Sequence, residues 1–115
     1  MIRDISIVIP IYNEQDNIIQ LIKEVRASLE KKINYEIIIV DDGSDDNTYE
    51  VVNKINKINK NINIISHKKN YGQSIGLRTG IIEANSEYIV TLDGDGQNDP
   101  RDILKLIKSF DTKVN

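Results

Sequence analysis

The sequence predicts an α/β protein, a three-layer α/β/α sandwich on a mainly parallel sheet. Three observations lead there. Short aliphatic runs of strand length alternate with segments of helical period. The runs are apolar at consecutive positions, as strands covered on both faces are, rather than at alternate ones. Acidic, amide and glycine residues gather after the runs instead of inside them.

The first predicted strand is "ISIVIPIY", Ile5 to Tyr12. Ile18, Ile22, Val25 and Leu29 then recur at helical spacing, with Asn13 as the expected N-cap and Asp16 in the first turn. The second strand is "YEIIIV", Tyr35 to Val40, followed by a helix capped by Ser44 or Asp45 whose inner face is Val51, Val52, Ile55 and Ile58. The stretch "NKINKINKNINII" looks repetitive but reads as the end of that helix running into the third strand, "INIIS", Ile62 to Ser66. The third helix, Ser74 to Ala84, carries Gly76 and Gly80. Each glycine costs about 1 kcal/mol relative to alanine in a helix, so close backbone packing on the sheet is the expected reason for the pair. "EYIVTL", Glu87 to Leu92, is the fourth strand, and Asp99-Pro100 opens a fourth helix with Ile103, Ile107 and Phe110 on one face. Strands alternating with helices imply right-handed crossovers, and ligands in such sheets bind beyond the carboxyl ends of the strands.

Composition narrows the partners. The 115 residues are 39% hydrophobic and 29% charged, enough for one core, and the net charge of −3 with scattered lysines disfavours nucleic acid. The absence of cysteine excludes disulfides and thiolate metal sites. No apolar run reaches the length of a membrane span, and "MIRDISIVIP" lacks the apolar core of a signal peptide, so a cytoplasmic location is expected.

Three of the four strand ends carry unusual chemistry: "PIYNE" from Pro10 to Glu14, "DDGSDD" from Asp41 to Asp46, and "DGDGQND" from Asp93 to Asp99. Any one of them could be ordinary turn and cap chemistry, but three meeting at one edge suggest a ligand. Asp41 and Asp42 point to opposite faces, so one of them can face it, and a carboxylate there can accept from the imide N–H of uracil or guanine. Asp93 and Asp95 form the strongest signal. Two close carboxylates repel unless a cation joins them, and a hard divalent ion, Mg²⁺ or Mn²⁺, takes carboxylate and phosphate oxygens, with Gln97 as a further oxygen donor. Gly94 and Gly96 are expected to keep side chains out of the ligand's way.

Other readings fit less well. An EF-hand needs glycine and glutamate where Asn98 and Leu104 stand. A phosphatase-type aspartate pair, or the acid pair of a signalling receiver domain, belongs after the first strand, where this chain has "YNE". Neither GxGxxG nor a P-loop is present. His67, the lone histidine, is expected to be solvated, and Lys68, Lys69 and Arg78 either approach phosphates or are solvated too. A non-catalytic nucleotide-binding or interaction module stands as the alternative to an enzyme.

Taken in order, "VIPIYNE", "IIIVDDGSDDNT", "NYGQSIGLRTGI" and "YIVTLDGDGQNDP" resemble the nucleotide-sugar half of inverting family 2 glycosyltransferases of GT-A fold. The closest branch in pattern is the dolichol-phosphate mannosyltransferase and bacterial polyprenyl-phosphate glycosyltransferase group. The resemblance implies that Pro10, Tyr12 and Glu14 line the nucleoside site and that Asp42 binds the base. It further implies that Asp93, Asp95 and Gln97 hold the metal and the sugar diphosphate, with catalysis depending on Asp95. Gly96 departs from the bulkier residue common in eukaryotic members. The implied partners are a nucleoside-diphosphate sugar and a polyprenyl-phosphate or glycan acceptor, with peripheral association at the inner face of the cell membrane. Family members continue for about a hundred residues more, so residues 1–115 are expected to be a truncated, sugar-donor-binding part lacking the acceptor half, and the surface this leaves uncovered is expected to make the chain self-associate.

Overall fold

A computed structural model describes residues 4–94. They form β1 (Asp4–Ile11), α1 (Ile18–Leu29), β2 (Asn34–Asp41), α2 (Thr48–Ile58), β3 (Ile62–Ser66), α3 (Gln73–Glu83) and β4 (Tyr88–Thr91). The strands make one sheet in the order β3-β2-β1-β4, and every neighbouring pair is parallel. The expected fourth helix, with Asp99, Pro100, Ile103, Ile107 and Phe110, lies outside the described residues.

Alternation along the strands sorts the layers. Ile5, Ile7, Ile9 and Ile11 of β1, with Ile37 and Ile39 of β2, pack against Ile18, Leu21, Ile22, Val25 and Leu29 of α1 and Val52 of α2. The residues between them, Val8, Ile38 and Val40, face the other way and meet Leu77 of α3. The chain steps from β1 through β2 to β3 with its two helices on one face. It then returns past β1 to β4 through α3 on the opposite face, as a uniform crossover hand requires.

Burial on both faces holds for β1 and β2 but not for all four strands. β3 and β4 are the outer strands among the described residues, and their burial is partial, with Ile89 exposed. Their aliphatic runs match the central strands in composition, so sequence alone could not rank them.

Helix starts also differ from expectation. Asn13 is not an N-cap: it sits in the loop after β1 with φ of 52°, Asn17 occupies the cap position of α1, and Asp16 precedes the helix. Ser44 and Asp45 likewise lie before the start of α2, which Asn47 precedes directly. Ile58 is 81% exposed rather than inward. It is the last residue of α2, which lies against the outer strand β3, so the apolar period outlasts the surface available for burial.

The glycine pair of α3 does what its spacing implies. A Cβ on Gly80 would stand 2.3 Å from Val8 Cγ1 and 3.3 Å from Val40 Cγ2, and one on Gly76 would stand 3.1 Å from Pro10 Cβ. The helix backbone therefore rests directly on the sheet, and this draws its amino end toward the end of β1.

Candidate functional site

The loops after β1 and β2 are sewn to each other. Asn13 N–H donates to Ser44 Oγ at 2.9 Å, and Asp45 N–H donates to Asn13 Oδ1 at 3.0 Å. Asn47 N–H reaches Gln15 Oε1 at 2.8 Å, and Glu14 N–H reaches Thr48 Oγ1 at 3.0 Å. Much of the polar richness in "YNE" and "DDGSDDNT" is thus consumed in satisfying backbone groups at the carboxyl edge. Asp41, buried on the α1 and α2 side, accepts from Ser44 N–H at 3.1 Å and belongs to this stitching.

Asp42 faces the other side and is 4% exposed. Its Oδ1 accepts from His67 Nδ1 at 2.8 Å and from Tyr71 N–H at 3.0 Å, while Oδ2 accepts from Gly72 N–H at 2.8 Å. Burial alone would raise its pKa, but the hydrogen bonds from His67 and from the two backbone amides outweigh that and hold it below the usual aspartate value. Gly43 follows with φ of +76°, and a Cβ there would be 2.4 Å from the backbone carbon of Lys69. Only glycine lets the loop that ends in Gly72 lie this close over the turn.

The site opens where the strand order reverses, between the ends of β1 and β4. A cavity of about 400 Å³ there is lined by Pro10, Ile11, Tyr12, Glu14, Asp42, Asn70, Gly72, Gln73, Asp93 and Gly94. That is the place a doubly wound sheet offers a ligand. Gly94 makes the junction possible, because a Cβ on it would meet Ile11 Cγ2 at 2.4 Å and the Pro10 carbonyl oxygen at 3.1 Å. The crowding that its missing side chain relieves therefore comes from β1 of the same chain rather than from a ligand. Asp93, brought in beside it, accepts from Gln73 Nε2 at 3.0 Å.

Of the residues singled out from sequence, Pro10, Tyr12, Glu14, Asp42 and Asp93 come together in this cavity. Asp95 and Gln97 lie outside the described residues, and among those described no cluster of three or more histidine and acidic side chains is arranged to hold a metal. The expectation for His67 is overturned. Its side chain is 13% exposed, both ring nitrogens are engaged, and Tyr71 packs on it edge to face at 5.4 Å. Asn70, Gly72 and Gln73 were missed as site residues. The signal available was the run "NYGQ" immediately before a glycine-bearing helix, whose amino end had to face the same edge as the acidic loops.

The parallel α/β sheet with an acidic cavity at its switch point is of GT-A type. Solved structures share it: S. aureus TarS in complex with UDP matches with a TM-score of 0.80 at 22% identity, over 95% of this chain and 32% of that one. A mannosyltransferase from Pyrobaculum calidifontis, in complex with GDP-Man and Mn²⁺, matches with a TM-score of 0.76 at 24% identity, over 90% and 30%. The chain belongs to glycosyl transferase family 2, whose model matches residues 6–114. Curated relatives include undecaprenyl-phosphate 4-deoxy-4-formamido-L-arabinose transferases. The one from Proteus mirabilis is 35% identical over 92% of this chain and 33% of its own length, and the one from Yersinia pestis is 40% identical over 92% and 33%. The chain thus spans about a third of the length of these relatives.

Proposed function

We propose that this chain is the nucleotide-sugar-binding part of an inverting glycosyltransferase that moves a sugar from a UDP- or GDP-linked donor to a polyprenyl phosphate. The observation that carries the reading is the switch-point cavity, which joins Asp42 at one side to Asp93 at the other. The names of the curated relatives support the acceptor, and the UDP and GDP-Man complexes of the structural neighbours support the sugar donor.

In this reading Pro10, Tyr12 and Glu14 border the nucleoside. Asp42 has three of about four acceptor positions filled, so one remains for the imide N–H of a base. Asp93, whose carboxylate lines the cavity, would hold Mg²⁺ or Mn²⁺ together with Asp95 and Gln97, an all-oxygen set that suits either ion. The bound cation would neutralise charge on the departing nucleoside diphosphate. The acceptor oxygen attacks the anomeric carbon from the face opposite the diphosphate, and the anomeric C–O bond breaks with its electron pair leaving on the diphosphate. A phosphate monoester with a second pKa of about 6 is already anionic near neutral pH, so the attack needs no protein base. An acceptor anchored in lipid would bring the enzyme to the inner face of the cell membrane. No helix among the described residues is long and apolar enough to cross one.

Thermal unfolding tests the reading. UDP or GDP should raise the melting temperature only with Mg²⁺ or Mn²⁺ present, and at about 100 times its dissociation constant the nucleotide should add about 2.7 kcal/mol. Equal stabilisation in excess chelator would remove the metal from the proposal. No response to either nucleotide with metal would remove the sugar donor.

A further inference from the structure

We propose that His67 is a positioning residue for the sugar-donor site, setting the carboxylate of Asp42 through a proton held on its Nδ1. The inference rests on the reading of the cavity as a nucleoside-diphosphate site.

The contact with Asp42 fixes a proton on Nδ1. Asp42 is held ionised and can only accept, so the proton of the 2.8 Å contact sits on His67 Nδ1. Nε2 meets the hydroxyl of Thr79 at 2.9 Å, a group that can donate to it or accept from it. The ring is thus engaged at both nitrogens. Its backbone is pinned as well, since His67 N–H donates to the Asp41 carbonyl at 2.9 Å.

These contacts join three elements at one ring. His67 follows β3, Asp42 follows β2, and Thr79 stands on α3. At the start of the same helix, Gln73 donates to Asp93. One helix thus fixes Asp42 through Thr79 and His67, and Asp93 through Gln73, so both carboxylates of the cavity are referred to a common support. With the imidazole in place, Oδ1 carries two hydrogen bonds and Oδ2 carries one from Gly72 N–H, which leaves the free acceptor position on Oδ2. Without it, Oδ1 keeps only Tyr71 N–H. The carboxylate is then held only by the two backbone amides, one on each oxygen, and the position opened on Oδ1 means that the free acceptor is no longer confined to Oδ2.

Two variants and one spectrum test this. His67→Phe keeps a ring against Tyr71 but donates nothing, whereas His67→Asn keeps an N–H near the position of Nδ1 and loses the link to Thr79. Binding of UDP or GDP with Mn²⁺, measured by calorimetry on the folded proteins, should weaken about tenfold or more in His67→Phe, as for a lost hydrogen bond to a charged group, and should largely recover in His67→Asn. A purely structural role would instead lower the melting temperature of both variants and leave both affinities unchanged. The imidazole ¹H–¹⁵N spectrum of the wild type should show Nδ1 protonated, a readout that survives if His67→Phe does not fold. Wild-type affinity in His67→Phe, or an Nδ1 found without a proton, overturns the proposal. A wild type that binds neither nucleotide overturns the sugar-donor reading itself, and with it a positioning role there.

Discussion

Both ends of the sheet grip α3 with a carboxylate that comes from β2, and the two grips leave different things behind. At the amino end, Glu36 accepts from Ser6 Oγ, from Asn85 N–H at 2.7 Å and from Asn85 Nδ2 at 3.2 Å, just after α3 ends. At the carboxyl end, Asp42 accepts from His67, Tyr71 and Gly72 just before α3 begins. In both, burial raises the pKa and the hydrogen bonds more than reverse that shift. Glu36 closes a junction at the amino end, while Asp42 performs the same clamping at the wall of the switch-point cavity. The two carboxylates therefore differ in their surroundings rather than in how they are held.

The largest effect that would test this contrast comes from Asp42→Ala. It strands His67 and two amides, and should cost about 3 kcal/mol in urea unfolding while abolishing nucleotide binding. Retained binding would break the comparison, because it would make Asp42 as purely structural as Glu36. Gly80→Ala comes next. Helix propensity favours alanine by about 1 kcal/mol, but the clash with Val8 should dominate, for a net loss of about 2 kcal/mol, and lifting α3 should loosen both grips together. Amide exchange at Gly72 and Asn85 rising in parallel would confirm a shared support, and a change at one end alone would contradict it. The smallest effect is that of Glu36→Gln, about 1 kcal/mol with nucleotide affinity unchanged. Because the folded pKa values of Glu36 and Asp42 are depressed, their contribution is present above the unfolded values near 4 and is lost as pH falls through the folded ones. Urea midpoints measured from pH 6 to pH 3 should therefore fall less steeply in Glu36→Gln than in the wild type.

The sequence made the four strands, the first three helices and the edge carrying the site legible, because apolar periodicity and the acidic strand ends are local signals. Glu36 was invisible. A glutamate early in a strand gives no hint that Ser6 and Asn85 will meet it, since all three come from distant parts of the chain. His67 was misjudged for the same reason: its partners Asp42 and Thr79 lie on other elements, and only the fold brings them to one ring. Ile58 failed differently, because helical period says which face is apolar but not how far the sheet beneath extends. That Tyr12, Glu14 and Asp93 would meet at one cavity was legible because each follows a strand end, where parallel topology by itself dictates a common edge.

The strand order also has a consequence in time. Ile5 of β1 lies beside Tyr35 of β2 on one side and beside Tyr88 of β4 on the other. The first pairing closes a short loop, but the second must wait until nearly all the described chain exists, and such long-range parallel pairing is slow. During synthesis β1, β2 and β3 can assemble while the far edge of β1 is still bare, and that bare edge is open to association with another chain. The cavity has no second wall until Gly94 settles onto Ile11, so among the described residues it is one of the last features to form.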